Sequence, residues 1–315
     1  MSLKPELEIS SATAQAIVDC VLPGHAVAEL SRVHGGEIAA VYQLAFVGSQ
    51  APLILKVYPD SLLWKMQKEA NVLPLVHDRL SVAVPRILRA DDSKRLLGLS
   101  FVLMTKLEGS ILGGLAQTLS SQQLASAYVR IGQVLREFHR IPMDAFGYIG
   151  PTGVWTEHGT NRAYLSFQFE RKLKEFANRG GAPGVAQRVA ECAAKRAYLL
   201  DECAHPVLCH NDLHAGNVLA EIADGAVRLT GVLDFEGALA GDPLMDVAKA
   251  LYYLDDEARA ALFEGYGDMG QRHWSEALDL YHLYFVLELW CWMAQIGNRQ
   301  PLEKLALDLE RCSTA

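Results

Sequence analysis

Cys209-His210-Asn211-Asp212-Leu213-His214-Ala215-Gly216-Asn217 is the densest run of chemistry-bearing side chains in the chain. It places an aspartate, Asp212, five residues before an asparagine, Asn217, within a short strand-and-loop segment (207–234) that interrupts a series of helical patterns. A carboxylate held at such a point can take a proton from a hydroxyl, and an amide oxygen beside it suits a hard cation such as Mg²⁺. The competing reading is a polar loop whose Asp and Asn satisfy nearby backbone groups. What lies on either side decides between the two.

Downstream, the apolar run 229–233 ends in Asp234-Phe235-Glu236, so a carboxylate follows directly on a buried strand and can face a cleft at its end. Upstream, Leu53-Ile54-Leu55-Lys56-Val57-Tyr58 sets one lysine inside an apolar strand. Burying an ammonium costs several kcal/mol unless it is paired, so Lys56 calls for an anionic partner, and Glu69 on the following helix is suitably placed. A solvated strand end and an edge-strand lysine are the plain alternatives. H-x-D with Asn five residues on, preceded by a strand lysine and followed by D-F-x, is the order and spacing of phosphoryl-transfer sites.

Around these residues the chain divides into two parts. A helix over 12–20 stops at Pro23-Gly24, and strands follow over 27–33, 39–47, 52–58, 86–90 and 99–105. His34-Gly35-Gly36 is the turn between the first two, and Asp60-Ser61 is the expected N-cap of a helix reaching Val76. After Gly109 the pattern turns helical: 122–139 carries Leu124, Tyr128, Ile131, Leu135 and Phe138 on one face, and 161–177 and 183–203 are helical too. Five strands and one helix followed by a mostly helical part predict an α+β, two-lobed architecture. The expected units are 1–104, a hinge at 105–109, and 110–315 with the catalytic loop and acceptor site.

From about Val27 to Tyr253 these parts resemble the aminoglycoside phosphotransferase family, with choline kinases more distant. Phe138-His139, Phe146-Gly147-Tyr148 and Gly241-Asp242-Pro243-Leu244-Met245-Asp246 fit the same pattern. The resemblance implies a protein-kinase-like fold with ATP or GTP as co-substrate and Mg²⁺ as metal. It makes Asp212 the catalytic base, Asn217 and Asp234 the metal ligands, Lys56 the phosphate clamp and Glu69 its partner. His210 and Asp246 become architectural supports. Thr105 and Leu107 would meet the base through their backbones, Met104 would line its pocket, and Gly35 and Gly36 would form the phosphate loop. Glu37 departs from the small or polar residue usual after such glycines. A catalytically silent nucleotide-binding module is the alternative from another class; it predicts loss of a polar catalytic element, and none is missing.

The short distance from Asp234 to Gly241-Asp242-Pro243 leaves no room for the activation segment of a protein kinase, which points to a small acceptor. Glu288 and Trp292 share a helical face with Tyr281, Tyr284 and Phe285, where a carboxylate among aromatics could hold an amine. A core glutamate paired with an arginine explains the same pattern. Glu236, Asp255 and Asp256 are further candidates to face a cationic acceptor, an aminoglycoside or amino alcohol, while a neutral sugar-like acceptor fits as well. A net charge of −8 argues against nucleic acid and anionic membranes. Six scattered cysteines without a C-x-x-C pair, no signal-peptide pattern and no long uncharged apolar run predict a cytoplasmic protein. The sequence is silent on oligomeric state.

Overall fold

Alternation of apolar side chains builds the first sheet. In the computed structural model, which describes residues 4–33, 38–155 and 158–314, β1 (Val27–Val33), β2 (Ala40–Phe46), β3 (Leu53–Tyr58), β4 (Ile87–Asp91) and β5 (Ser100–Thr105) form an antiparallel sheet in the order β1-β2-β3-β5-β4. Successive side chains on a strand point to opposite faces. Phe101 and Leu103 of β5, with Leu53, Leu55 and Val57 of β3, therefore share one face and pack against Ala14, Ile17 and Val18 of α1 (Ser11–Asp19). Val102 and Met104 face the other way, toward Met66, Val72 and Val76 of α2 (Leu63–Val76). Lys56, between Leu55 and Val57, is thereby turned to the α2 face.

The five strands expected from the sequence are present to within two residues at each end. The expected N-cap is not. Asp60–Leu62 forms a 3₁₀ turn before α2, whose N-cap is Leu62 without a side-chain hydrogen bond. The Asp60 carboxylate is instead 2.9 Å from Lys94 Nζ.

The second part holds more strand than its sequence pattern suggests. Its helices are α3 (Leu112–Leu115), α4 (Ser121–Phe138), α5 (Asn161–Asn178), α6 (Pro183–Arg196), α7 (Pro243–Leu251), α8 (Asp256–Tyr266), α9 (Trp274–Ile296) and α10 (Leu302–Thr314). The helix expected over 183–203 ends at Arg196, and Ala197–Glu202 continues it as a 3₁₀ turn. Between the helices run β6 (Ser110–Ile111), β7 (Gly147–Gly150), β8 (Gly153–Trp155), β9 (Val207–Cys209), β10 (Val218–Ala223), β11 (Ala226–Val232) and β12 (Leu239–Gly241). They make two small sheets, β11-β10-β6 and β8-β7-β12-β9. In the second sheet Leu239 pairs with Tyr148 on one side and Cys209 on the other. This fixes where the loop after Cys209 begins. The α4 face predicted from the sequence is the buried one, with Tyr128, Ile131, Leu135 and Phe138 in the core.

Candidate functional site

The loop 210–217 is held from beneath. Asp246, fully buried in the first turn of α7, accepts the backbone N–H groups of His210 at 2.7 Å and Asn211 at 2.9 Å. A third contact, from His139 Nε2 at 3.3 Å, steadies the same carboxylate. Burial would raise the Asp246 carboxyl, but the His139 hydrogen bond and the loop donors outweigh it and hold it below the usual range. His210 lies against Phe138 and Phe235 and donates from Nε2 to the Leu233 carbonyl at 3.0 Å. Burial lowers its pKa and keeps the ring neutral. Asp246 thus holds the backbone where the loop begins, and His210 packs between two phenylalanine rings. Above them Asn217 Nδ2 donates to the Asp212 backbone carbonyl at 2.9 Å and to its Oδ2 at 3.1 Å. The amide nitrogen faces the aspartate, and the amide oxygen is turned away from it.

Two parts of the chain 178 residues apart meet at Lys56, whose Nζ is 2.9 Å from the Glu69 carboxylate and 3.3 Å from Asp234 Oδ1. The Tyr58 hydroxyl also donates to Glu69, which is 2% exposed. Burial would lower the Lys56 pKa, yet Asp234 and Glu69 together raise it well above the ordinary value, so the ammonium is locked on. Asp234 responds in kind. Burial would raise its carboxyl and Lys56 brings it below the usual range. Asp234 is in the left-handed region at φ 65°, a conformation that non-glycine residues adopt at a cost and that aims this side chain toward Lys56. Its backbone neighbour Leu233 donates to the Asn217 carbonyl at 2.8 Å, tying the D-F-E turn to the loop. An amide oxygen from Asn217 and a carboxylate oxygen from Asp234 are hard donors of the kind that suits Mg²⁺.

The segment expected to act as a hinge follows β5. Met104 is 3% exposed, at the α2 face of the sheet. The Thr105 N–H donates to the Arg86 carbonyl at 3.0 Å, and its Oγ1 accepts from the Arg86 N–H at 2.9 Å. Leu107 packs toward Gly231. Gly109, at φ 106°, is required by a close approach, since a Cβ there would be 2.3 Å from Thr230 Oγ1. Gly35 and Gly36, with His34 and Glu37, lie outside the described residues.

The side of the cleft expected to receive an acceptor differs from the picture of free carboxylates. Glu288 faces Lys249 Nζ at 3.4 Å, and Glu236 faces Lys65 Nζ at 3.4 Å and Lys56 Nζ at 3.9 Å. Asp255 caps α8 through the Ala258 N–H at 2.9 Å, and Asp256 is at the surface beside Arg259. Trp292 lies under Lys65, 5.8 Å from its Nζ. Tyr281 and Tyr284 are core residues, the first donating to Asp242 at 2.7 Å. The arginine partner imagined for Glu288 is a lysine. Lys65, Lys68, Lys249 and Arg171 were not singled out from the sequence, and only Lys65 and Lys68, near Glu69 on one helix, gave a local signal. Tyr253 stacks edge-on to His214 with centroids 6.2 Å apart, and beside it is a cavity of about 390 Å³ lined by Tyr252, Leu289, Met293 and Lys304 among others.

A model of the phosphotransferase enzyme family (APH) matches residues 29–280. No curated protein sequence matches the chain. Among solved structures, a thermostable mutant of aminoglycoside phosphotransferase APH(4)-Ia in ternary complex with ADP and hygromycin B is similar at 17% identity, covering 95% of this chain and 97% of that one, with a TM-score of 0.73. The GDP and kanamycin complex of APH(2")-IIia is similar at 14% identity over 96% and 98%, TM-score 0.70. The gentamicin complex of APH(2")-IIa stands at 17%, 97% and 97%, and 0.69. At these identities the likeness establishes the fold, which is the two-lobed, protein-kinase-like α+β architecture with a sheet-rich first part and a helical second part.

Proposed function

The chain belongs to the phosphotransferase enzyme family and is a phosphotransferase acting on a hydroxyl acceptor; from that premise we propose that it moves the γ-phosphoryl group of ATP or GTP to a hydroxyl of a small molecule. The observation that carries this reading is Lys56 Nζ lying between Glu69 and Asp234, with Asp234 tied through Leu233 to the loop that holds Asp212. The working division is a nucleotide-binding lobe over 1–104, a hinge at 105–109 and a catalytic lobe over 110–315. Nucleotide bound to the structural neighbours supports the first assignment. Six free cysteines are in keeping with a reducing cytoplasm. Among the described residues no helix is long and apolar enough to cross a membrane.

Each side chain then has a task. Lys56, oriented by Glu69, meets the α- and β-phosphates. Mg²⁺ held by Asn217 and Asp234 would neutralise charge on the phosphates. Met104 lines the base pocket, with the Thr105 carbonyl and Leu107 N–H as its polar edge. Asp212 takes the proton of the acceptor hydroxyl as that oxygen bonds to the γ-phosphorus. The bond from the γ-phosphorus to the bridging oxygen breaks, and its electron pair leaves on ADP or GDP. His210 and Asp246 keep the loop in place without touching either substrate.

Replacing Asp212 by Ala is expected to slow transfer by roughly 10²–10⁴-fold with nucleotide binding intact. Asp234→Ala is expected to remove the Mg²⁺-dependent thermal shift given by nucleotide. Measured together by thermal shift and product mass, these two variants test the assignment. A D212A enzyme that turns over as fast as the parent would end it, and nucleotide binding without transfer to any acceptor would favour a silent binding module.

A further inference from the structure

We infer that the acceptor carries an anionic group, a carboxylate or a phosphate, which Arg171 binds while the acceptor hydroxyl lies at Asp212. This rests on the phosphotransfer reading above and deepens it. A polycation needs carboxylates that are free to receive it. Three of the four acidic candidates have other engagements, Glu236 with Lys65, Glu288 with Lys249 and Asp255 with the start of α8, and the fourth, Asp256, is fully exposed on the surface beside Arg259.

The unmatched charge there is positive. Lys172 pairs with Glu175 at 3.0 Å, which leaves Lys68 and Arg171 without a carboxylate within ion-pair distance among the described residues. Both converge on one ring. Lys68 Nζ is 5.0 Å from the Tyr148 centroid, and the Arg171 guanidinium carbon is 5.9 Å from it. Lys68 is 1% exposed and out of reach of an acceptor, whereas Arg171 is exposed. Its guanidinium is held in place by Nε and Nη2 donating to Gln168 Oε1 at 3.0 and 2.6 Å, and by Nη2 donating to the Tyr148 hydroxyl at 3.0 Å. Nη1 has no partner among the described residues. A planar fork fixed on one edge and open on the other is suited to a carboxylate or phosphate.

The sheet keeps the Tyr148 strand near the Asp212 loop. Tyr148 pairs with Leu239, which pairs with Cys209, so two strand spacings of about 4.8 Å each put Tyr148 roughly 10 Å from the residue at which the Asp212 loop starts. Lys249 is paired with Glu288; burial would lower its pKa, but Glu288 and, after it, Asp212 raise it, which brings this ion pair near the base. It prevents Glu288 from repelling an anion.

The test offers the full chain, with Mg²⁺ and ATP or GTP, three acceptor sets: hydroxycarboxylates (glycerate, gluconate, quinate) beside sugar phosphates; neutral polyols; and amines (ethanolamine, choline, kanamycin). Phosphorylated product is read by mass. The expected result is transfer to an anionic acceptor with kcat/KM at least tenfold above every neutral or cationic one, the two anionic arms showing whether carboxylate or phosphate is recognised. Arg171→Gln should then raise KM about tenfold or more, as loss of a charge-assisted hydrogen bond predicts, with kcat changed less than about threefold. Arg171→Lys should recover part of it. An unaltered nucleotide thermal shift in both variants shows that they fold. Transfer only to amines or polyols, transfer to no anionic acceptor, or an unchanged KM in R171Q each overturns the inference. A parent protein that shows no Mg²⁺-dependent nucleotide shift fails at the phosphotransfer reading instead.

Discussion

Lys68 sits one residue before Glu69 on α2, with its ammonium 5.1 Å from the Trp64 ring and 5.0 Å from that of Tyr148. Burial, and after it the charge of Lys65, lowers its pKa to about 7. An unfolded lysine titrates near 10.4. Between pH of about 7 and about 10.4 the unfolded chain therefore binds more protons than the folded one, and stability rises with pH through that window. Below pH 7 the lysine is charged in both states and its contribution is at its least favourable. Lys68→Met fills the same box without a charge. It is expected to stabilise the protein by about 1–3 kcal/mol at pH 6 and to flatten the rise between pH 7 and 10. Thermal midpoints of parent and K68M at pH 6, 8 and 9.5 decide it, and parallel profiles would remove the charge argument.

Gly109 shows how one connection between elements depends on a missing side chain. It links β5 to β6 at φ 106°, where the Thr230 hydroxyl of β11 donates to the Glu108 carbonyl at 2.7 Å. Gly109→Ala brings a methyl into that hydroxyl and forces an L residue into a region it avoids, at an expected cost of about 1–3 kcal/mol. Adding Thr230→Ala relieves the contact but not the backbone strain, so urea midpoints should recover only in part; full recovery would assign the whole cost to the contact. The reach of sequence reading follows the same division between local and distant causes. The pairing of Lys56 with Glu69 was legible because a lysine inside an apolar strand needs an anion nearby, and that of Asp212 with Asn217 because the two are five residues apart. The four-stranded sheet was not, since its strands are three or four residues long and exist through pairing with distant partners such as Leu239 with Tyr148. The engagement of Glu236 was hidden for a related reason: its lysine partner Lys65 lies 171 residues away. Asp60 looked like a cap but has Lys94 as its partner, and the chain takes a 3₁₀ turn before the helix starts.

Two lobes in one chain could melt separately, yet the apolar interior argues for one transition. Met66, Val72, Val102 and Met104 of the first part belong to one continuous cluster with Phe138, Leu213 and Phe235 of the second. Polar ties cross the same boundary: Asn71 Nδ2 to the Gly150 carbonyl at 2.9 Å, the Val232 N–H to the Ala83 carbonyl at 2.9 Å, and the Ser81 N–H to Glu137 at 2.7 Å. The outer face of the five-stranded sheet, covered by α1, is a smaller separate cluster without such ties among the described residues. Unfolding either part alone would expose the shared cluster and break these bonds, so the expected melt is a single cooperative step seen alike by near- and far-ultraviolet circular dichroism. A nucleotide bound between Lys56 and Asp234 should move that whole step, by about 2.7 kcal/mol at a free concentration 100 times its Kd. Asp234→Ala should leave the cooperativity and abolish the shift. A biphasic melt in which nucleotide moves one phase alone would show that the shared core does not couple the lobes.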